Sequence, residues 1–223
     1  MDKRTKYLQD IGRQSLNKFI RLVDKEKAVG EIELMKNDWN TFLNDEKIIS
    51  TYDKCVRNFE SLLGFSSELS KNLSVEELAS RVAERFAEID LAKHVIREYS
   101  LEQQNNTQLE KLLEKANTGK ICDFRLQLLQ DIVCFEAKYT SSISESSIKS
   151  IIKKALSQIL ETDQNVKLGV IWIFTYKFPE NPQNFQTLVE SIKTEFRNST
   201  TLPFLLTVQT YLKGLFGDCT VRQ

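Results

Sequence analysis

Proline, glycine and histidine are scarce in this chain of 223 residues, which contains 3 prolines, 7 glycines and 1 histidine. Because glycine and proline most often mark turns, their scarcity predicts long helices and few tight turns. No two of the cysteines have the two-residue spacing that is typical of zinc sites, so the sequence predicts no structural zinc. Isolated cysteines in a chain of this size indicate reduced thiols in a reducing compartment. The cysteines are Cys55, Cys122, Cys134 and Cys219.

The chain also lacks an excess of charge of either sign, because 31 Lys and Arg residues balance 31 Asp and Glu residues. No overall basic field attracts nucleic acid or an anionic membrane, so an anionic partner must be met by a local patch. The longest uncharged apolar run, residues 168–176, is far too short to cross a bilayer. The charged N-terminus, MDKRTKYLQD, lacks the apolar core of a secretory signal. We therefore expect a soluble, cytoplasmic protein with no membrane partner.

Apolar residues recur at helical spacing in the first half of the chain, which has no proline before residue 117. Ser74, followed three residues later by Glu77, forms a capping box that predicts the start of a helix. We expect residues 1–73 to form a helical N-terminal region. The predicted helices of this half cover residues 7–23, 29–43, 48–63, 74–96 and 107–116.

The pattern changes after Gly119, where apolar and β-branched runs alternate with amphipathic segments. The order predicts an α/β (α+β) domain with a mixed sheet, and we place this core at residues 74–223. Ser142 with Glu145 is a second capping box at the start of a predicted helix. The predicted strands are 120–128, 132–140, 168–176 and 202–208, and the predicted helices are 142–159, 185–196 and a short terminal one at 211–216.

Two acidic residues and a lysine fall on one face of a hairpin predicted around residues 129–130. In that register Asp123 lies opposite Glu136, and Lys138 follows on the same face, because side chains alternate along a strand. Directly opposed carboxylates repel unless a positive group lies between them. Hard oxygen ligands of this kind suit Mg²⁺. The sequence therefore predicts a magnesium site, in which Lys138 orients or deprotonates a water or holds a phosphate oxygen.

The same residues are also compatible with a solvated sheet face, on which Lys138 and Arg125 neutralise the acids across the strands. The two interpretations depend on the register, because a one-residue bulge would separate Asp123 from Glu136. The alternating pattern further places Cys122 on the opposite, apolar face, away from Cys134.

The order of motifs and segments in this region resembles the PD-(D/E)xK nuclease superfamily. An aspartate in one strand is followed by Glu-x-Lys in the next apolar strand, then by an amphipathic helix and a further apolar strand. Members of that superfamily have the restriction-endonuclease-like fold. The motif here is Cys122-Asp123 followed by Glu136-Ala137-Lys138, and the resemblance covers about a quarter of the chain, residues 120–176. Cys122 stands where the family carries a proline. A second match to (D/E)-x-K, Asp45-Glu46-Lys47, lies between predicted helices and has no flanking apolar strand.

The resemblance implies a Mg²⁺-dependent endonuclease that hydrolyses phosphodiester bonds of duplex DNA in the manner of type II restriction enzymes. It implies that Asp123 and Glu136 bind Mg²⁺, and that Lys138 assists a water that displaces the 3′ oxygen and leaves a 5′-phosphate. The family usually adds an acid from an upstream helix, for which Glu84 is our candidate. Alternatives for that acid are Glu88, Asp90 and Glu98.

A single catalytic set in each chain implies a homodimer where both strands are cut. On the helix after the motif, Lys149, Lys153 and Lys154 are either phosphate contacts or part of a solvated face. The alternative function is a non-catalytic nucleic-acid- or protein-binding module on the same scaffold.

Overall fold

The computed structural model describes residues 2–23, 31–51, 56–57, 60, 74–102, 122–128, 131–162, 166–211 and 214–218. These residues form a mixed α/β protein with helices at its N-terminal end. The chain divides into two compact units, residues 1–93 and 94–223. The sequence predicted that the core begins at residue 74, whereas the units divide at residues 93–94, inside the helix Val75–Glu102. The helix predicted at 107–116 lies outside the described residues.

The described helices are α1 (Lys3–Leu22), α2 (Glu31–Leu43), α3 (Glu46–Thr51), α4 (Val75–Glu102), α5 (Glu145–Thr162) and α6 (Pro182–Ser199). The described strands are β1 (Phe124–Leu128), β2 (Asp131–Tyr139), β3 (Val166–Thr175), β4 (Phe204–Thr210) and β5 (Leu215–Gly217). The terminal helix expected at 211–216 is therefore wrong, because residues 215–217 pair with β4 as an antiparallel edge strand. Among the helices with described coordinates, none is long and apolar enough to cross a membrane.

Side-chain caps fix the starts of several helices. The amide of Glu77 donates to Ser74 Oγ at 3.1 Å, and the amide of Ser74 donates to Glu77 Oε2 at 2.9 Å, which confirms the first capping box. Asp45 accepts from the amide of Ile48 at 3.1 Å, so the second match to (D/E)-x-K is part of a helix cap.

The cap of α5 differs from the prediction. Ser144, rather than Ser142, accepts from the amide of Ser147 at 3.3 Å. Ser142 belongs to the preceding loop, where its hydroxyl accepts from the amide of Ser144 at 3.3 Å. With five serines between residues 141 and 147, the spacing alone did not identify the capping residue.

Large apolar side chains fill the interior of the N-terminal unit. Trp39 is fully buried, and its ring lies 5.6 Å from that of Phe42 and 6.4 Å from that of Phe86. Gly12 brings α1 close to the end of α2, because a Cβ at this position would collide with the side chain of Leu43. Tight contact between the helices therefore depends on a residue without a side chain.

The C-terminal unit contains a sheet of five described strands in the order β1-β2-β3-β4-β5. The central pairs β2–β3 and β3–β4 are parallel, whereas both edge strands pair in the antiparallel direction. Helices α5 and α6 form the two crossovers, and successive right-handed crossovers in one direction place both helices on the same face. The core beneath them joins residues of the sheet to apolar residues of both helices, including Ile148, Ile152, Phe185 and Val189.

The second face of the sheet is also buried, because Val170, Trp172 and Phe174 are at most 3% exposed. His94 packs on this face, with its ring 4.8 Å from that of Trp172. Burial on both faces explains why β3 is a continuous apolar run without alternation.

The short edge strand β5 is held by the residue that follows it. Asp218 accepts from the amide of Leu206 at 3.2 Å and pairs with Lys193 and Arg197 of α6, each at 3.2 Å. Gly217, with φ of 94°, makes this approach possible. A Cβ at Gly217 would collide with the carbonyl oxygen of Leu206.

We predict that Gly217→Ala lowers the free energy of unfolding by about 1–3 kcal/mol, because alanine is strained at this positive φ and meets a backbone atom. Chemical denaturation would measure the loss. Gly169→Ala is the matched control, since its added methyl would meet the end of the Ile159 side chain at 3.1 Å, which can move. Equal losses in the two variants would contradict the prediction.

Candidate metal centre

The register of the β1–β2 hairpin places Asp123 opposite Glu136. Phe124 pairs with Phe135 and Leu128 with Asp131, which is the register predicted from the sequence. The amide of Asp123 continues this ladder by donating to the carbonyl of Phe135 at 3.1 Å. The one irregularity in the described pairing of β2 lies at Ile132 and Val133 on its other side, toward β3, and leaves the hairpin register intact.

Reciprocal hydrogen bonds hold the two carboxylates side by side. The amide of Asp123 donates to Glu136 Oε2 at 3.2 Å, and the amide of Ala137 donates to Asp123 Oδ2 at 2.7 Å. Lys138 forms an ion pair with Glu136 Oε1. The structure therefore brings Asp123, Glu136 and Lys138 together, and backbone amides orient both acids.

Glu136 is completely buried. Its neighbours in the register, Ile171 on β3 and Leu206 on β4, belong to the core beneath α5 and α6. The interpretation as a solvated sheet face is therefore wrong for Glu136, because this face is covered. The ion pair that this interpretation expected between Lys138 and the acid is present. Asp123 is half-buried, and the Lys138 side chain is 15% exposed, so solvent reaches the cluster through these two residues.

The environment of Glu136 favours its uncharged form. Desolvation, followed by the charge of Asp123, raises the pKa of Glu136 from its ordinary value of 4.5 to about 8. The ammonium of Lys138 acts in the opposite direction but does not restore an ordinary pKa. The ionised form of Glu136, which pairs with Lys138, and its protonated form therefore differ little in free energy near neutral pH.

The two cysteines next to the acids correct one sequence prediction. Cys122 and Cys134 belong to the same buried core, and their sulfur atoms lie 3.2 Å apart. The prediction placed them on opposite faces by extending the alternation of a strand to residue 122. Because β1 begins at Phe124, that alternation does not apply to Cys122. The pair of thiols was thus missed by the sequence analysis.

The candidates for an additional acid lie on α4. Glu84 is partly buried and belongs to the N-terminal unit, whereas the strand cluster belongs to the C-terminal unit. Glu88 is 3% exposed and forms an ion pair with Arg85. Asp90 is partly buried, and the side chain of Glu98 lies outside the described part of the structure.

Of the lysines proposed as phosphate contacts, Lys149 is engaged elsewhere. Its ammonium lies 2.8 Å from Glu145 and 2.6 Å from Glu195, and these hydrogen bonds raise the pKa of Lys149. Lys153 and Lys154 are exposed on the outer face of α5.

The donor set suits a small hard cation. Asp123 and Glu136 supply carboxylate oxygens, and Mg²⁺ commonly binds to proteins through one or two carboxylates while it keeps several waters. A cation would offset the charge of Asp123, which adds to desolvation in raising the pKa of Glu136. No group of three or more His, Cys, Asp or Glu side chains in the described regions could hold a metal ion. Any resident cation therefore depends on the Asp123–Glu136 pair together with water, phosphate or residues beyond this cluster.

Comparisons with protein-family models, curated proteins and solved structures found no match for this chain.

We predict that Glu136→Gln stabilises the metal-free protein progressively as pH rises. The folded wild type keeps a proton on Glu136 up to about pH 8, whereas the unfolded chain loses it near 4.5, so wild-type stability falls through this interval. Glutamine removes that titration. Thermal unfolding in EDTA should show the variant gaining, relative to wild type, up to about 1 kcal/mol for each pH unit. Asp131→Asn, at an exposed position of the same strand, is the control. Parallel pH profiles for Glu136→Gln and wild type would contradict the prediction.

Proposed function

We propose that this protein is a Mg²⁺-dependent DNA endonuclease whose C-terminal unit has a restriction-endonuclease-like core. The observation that supports this most directly is the meeting of Asp123, just before β1, with Glu136 and Lys138 of the neighbouring β2. Strand β2 is followed by helix α5 and the parallel strand β3, which is the order that accompanies the PD-(D/E)xK motif. Two carboxylates can hold the metal ion that metal-dependent hydrolysis of a phosphodiester uses, and an adjacent ammonium can assist the attacking water.

Asp123 and Glu136 would hold the cation. The backbone amides of Asp123 and Ala137 fix one oxygen of each strand carboxylate, so both groups are oriented before a ligand arrives. When bound, Mg²⁺ polarises the phosphoryl group and lowers the pKa of a coordinated water.

Lys138 is the residue of this cluster best placed to meet a phosphate. It is next to Glu136 but retains some exposure, whereas Glu136 has none. An ammonium group carries three donors and can hold a phosphate oxygen or orient the attacking water. We assign it the role of assisting this water, which displaces the 3′ oxygen and leaves a 5′-phosphate.

Cleavage of both strands of a duplex requires two such clusters. One chain contributes one Asp123–Glu136–Lys138 set, so we propose a two-fold symmetric homodimer that acts on duplex DNA. The helical N-terminal region would supply the dimer contacts or additional DNA contacts. A nicked plasmid as the sole product would instead indicate that the chain acts as a monomer.

We predict that the purified protein cleaves plasmid DNA in the presence of Mg²⁺ and not in EDTA. Asp123→Asn, Glu136→Gln and Lys138→Gln should each lower the rate at least about 100-fold, because each removes a charged group that acts on the reacting phosphate or on the cation. Gel electrophoresis of supercoiled and linear substrates would measure the rates.

The matched controls are Asp131→Asn and Lys167→Gln, both at exposed positions at the starts of strands, which should cleave like wild type. Circular dichroism should establish that every variant folds. If the folded wild-type protein leaves duplex and single-stranded DNA intact with either Mg²⁺ or Mn²⁺, catalysis is excluded, and a binding module on this scaffold becomes the better hypothesis.

We also predict that Mg²⁺ raises the melting temperature of the wild-type protein at pH 8, because a cation that binds only the folded state stabilises it. The increase should be smaller at pH 6, since the proton on Glu136 must leave first. Asp123→Asn and Glu136→Gln should abolish the increase, whereas Asp131→Asn should retain it. An equal response in all four proteins would show that the cation binds elsewhere.

A further inference from the structure

The thiols of Cys122 and Cys134 form a buried pair beside the carboxylates. Their sulfur atoms are 3.2 Å apart, although the residues are separated by 11 others in the sequence. Cys122 is 8% exposed and Cys134 is completely buried. Neither takes part in a disulfide. Two thiols this close together can form a disulfide, a reaction in which the proposed nuclease site has no part.

A backbone hydrogen bond joins the two segments that carry this pair. The amide of Asp123, the residue after Cys122, donates to the carbonyl of Phe135, the residue after Cys134, at 3.1 Å. A disulfide bond is about 2.05 Å long, so the sulfurs would have to approach by about 1.1 Å. Part of that movement can come from side-chain rotation, and the rest falls on the segment that leads into β1.

We propose that Cys122 and Cys134 are a reversible redox pair that a peroxide converts to a disulfide and that a thiol reductant restores. Hydrogen peroxide oxidises the sulfur of Cys122, the more exposed of the two, to a sulfenic acid with release of one water. The sulfur of Cys134 then attacks the sulfenic sulfur, forms the S–S bond and releases a second water. The two thiols thus lose two electrons and two protons, and one peroxide is reduced to two waters.

Trypsin makes this proposal directly testable, because each cysteine of the chain falls in a different tryptic peptide. Cleavage after Lys120, Arg125 and Lys138 separates ICDFR, which contains Cys122, from LQLLQDIVCFEAK, which contains Cys134. The remaining two cysteines lie in CVR and GLFGDCTVR. A disulfide between Cys122 and Cys134 therefore appears as one mass that joins the first two peptides.

The experiment treats the full-length folded protein with hydrogen peroxide, alkylates the remaining thiols, digests without reductant and records the peptide masses. We expect the ICDFR–LQLLQDIVCFEAK mass, lighter by two hydrogen atoms than the sum of the reduced peptides, and its loss after dithiothreitol. The double variant Cys55→Ser/Cys219→Ser should retain the linked mass, and Cys134→Ser should abolish it. Recovery of both peptides in alkylated form, or oxidation of Cys122 to a sulfinic acid without the link, would overturn the proposal.

Disulfide formation also bears on the cation site, a consequence that rests on the proposed function. Asp123 is bonded directly to Cys122, and Mg²⁺ tolerates little deviation from ligand distances of about 2.0–2.1 Å. We expect the peroxide-treated protein to show a smaller Mg²⁺-induced rise in melting temperature than the reduced protein. If the linked peptide forms and the Mg²⁺ response is unchanged, the redox pair stands and its coupling to the site is refuted. If the reduced protein itself shows no response, the proposed cation site fails independently of the disulfide.

Discussion

Backbone hydrogen bonds hold two carboxylates side by side in the C-terminal unit, with Glu136 completely buried and Asp123 half-buried. The loss of hydration around Glu136, and then its repulsion by Asp123, both favour protonation and raise the pKa of Glu136 to about 8. Such an arrangement costs stability in the absence of a ligand, and costs of this kind concentrate at functional sites. Backbone hydrogen bonds to both acids nevertheless keep them in place. The hairpin thus imposes a geometry that the isolated side chains would avoid.

The sheet explains why Glu136 cannot relax into solvent. Strand β2 is an interior strand, with β1 on one side and β3 on the other. Helices α5 and α6 cover the face on which Glu136 lies. Movement of Glu136 would require the strand to leave its register, which also positions Cys134 and Phe135 in the core. The packing that stabilises the fold therefore also keeps the two acids close together. Lys138, two residues further along β2, remains partly exposed and gives the cluster its access to solvent.

Local sequence signals predicted what depends on local geometry. The hairpin register and the Ser74 capping box follow from the spacing of residues, and the structure has both of them. Predictions failed where tertiary contacts determine the local structure or the position of a side chain. Leu215–Gly217 forms a strand because β4 offers an edge, and Cys122 lies beside Cys134 because β1 starts after it. Burial of Glu136 also required knowledge of which face the helices cover.

The net charge of the Asp123–Glu136–Lys138 cluster bears on how a chain with no overall charge could attract a phosphodiester. Two ionised carboxylates and the ammonium of Lys138 sum to one negative charge, which repels a phosphodiester. A proton on Glu136 brings the sum to zero, whereas a divalent cation brings it to one positive charge, the complement of one phosphate. With 12 basic and 10 acidic residues from 119 to 223, the C-terminal region contributes little further attraction. On this argument, affinity for a phosphodiester at the cluster requires the cation. If the proposed function holds, the absence of an overall basic field means that the chain binds DNA only weakly without metal.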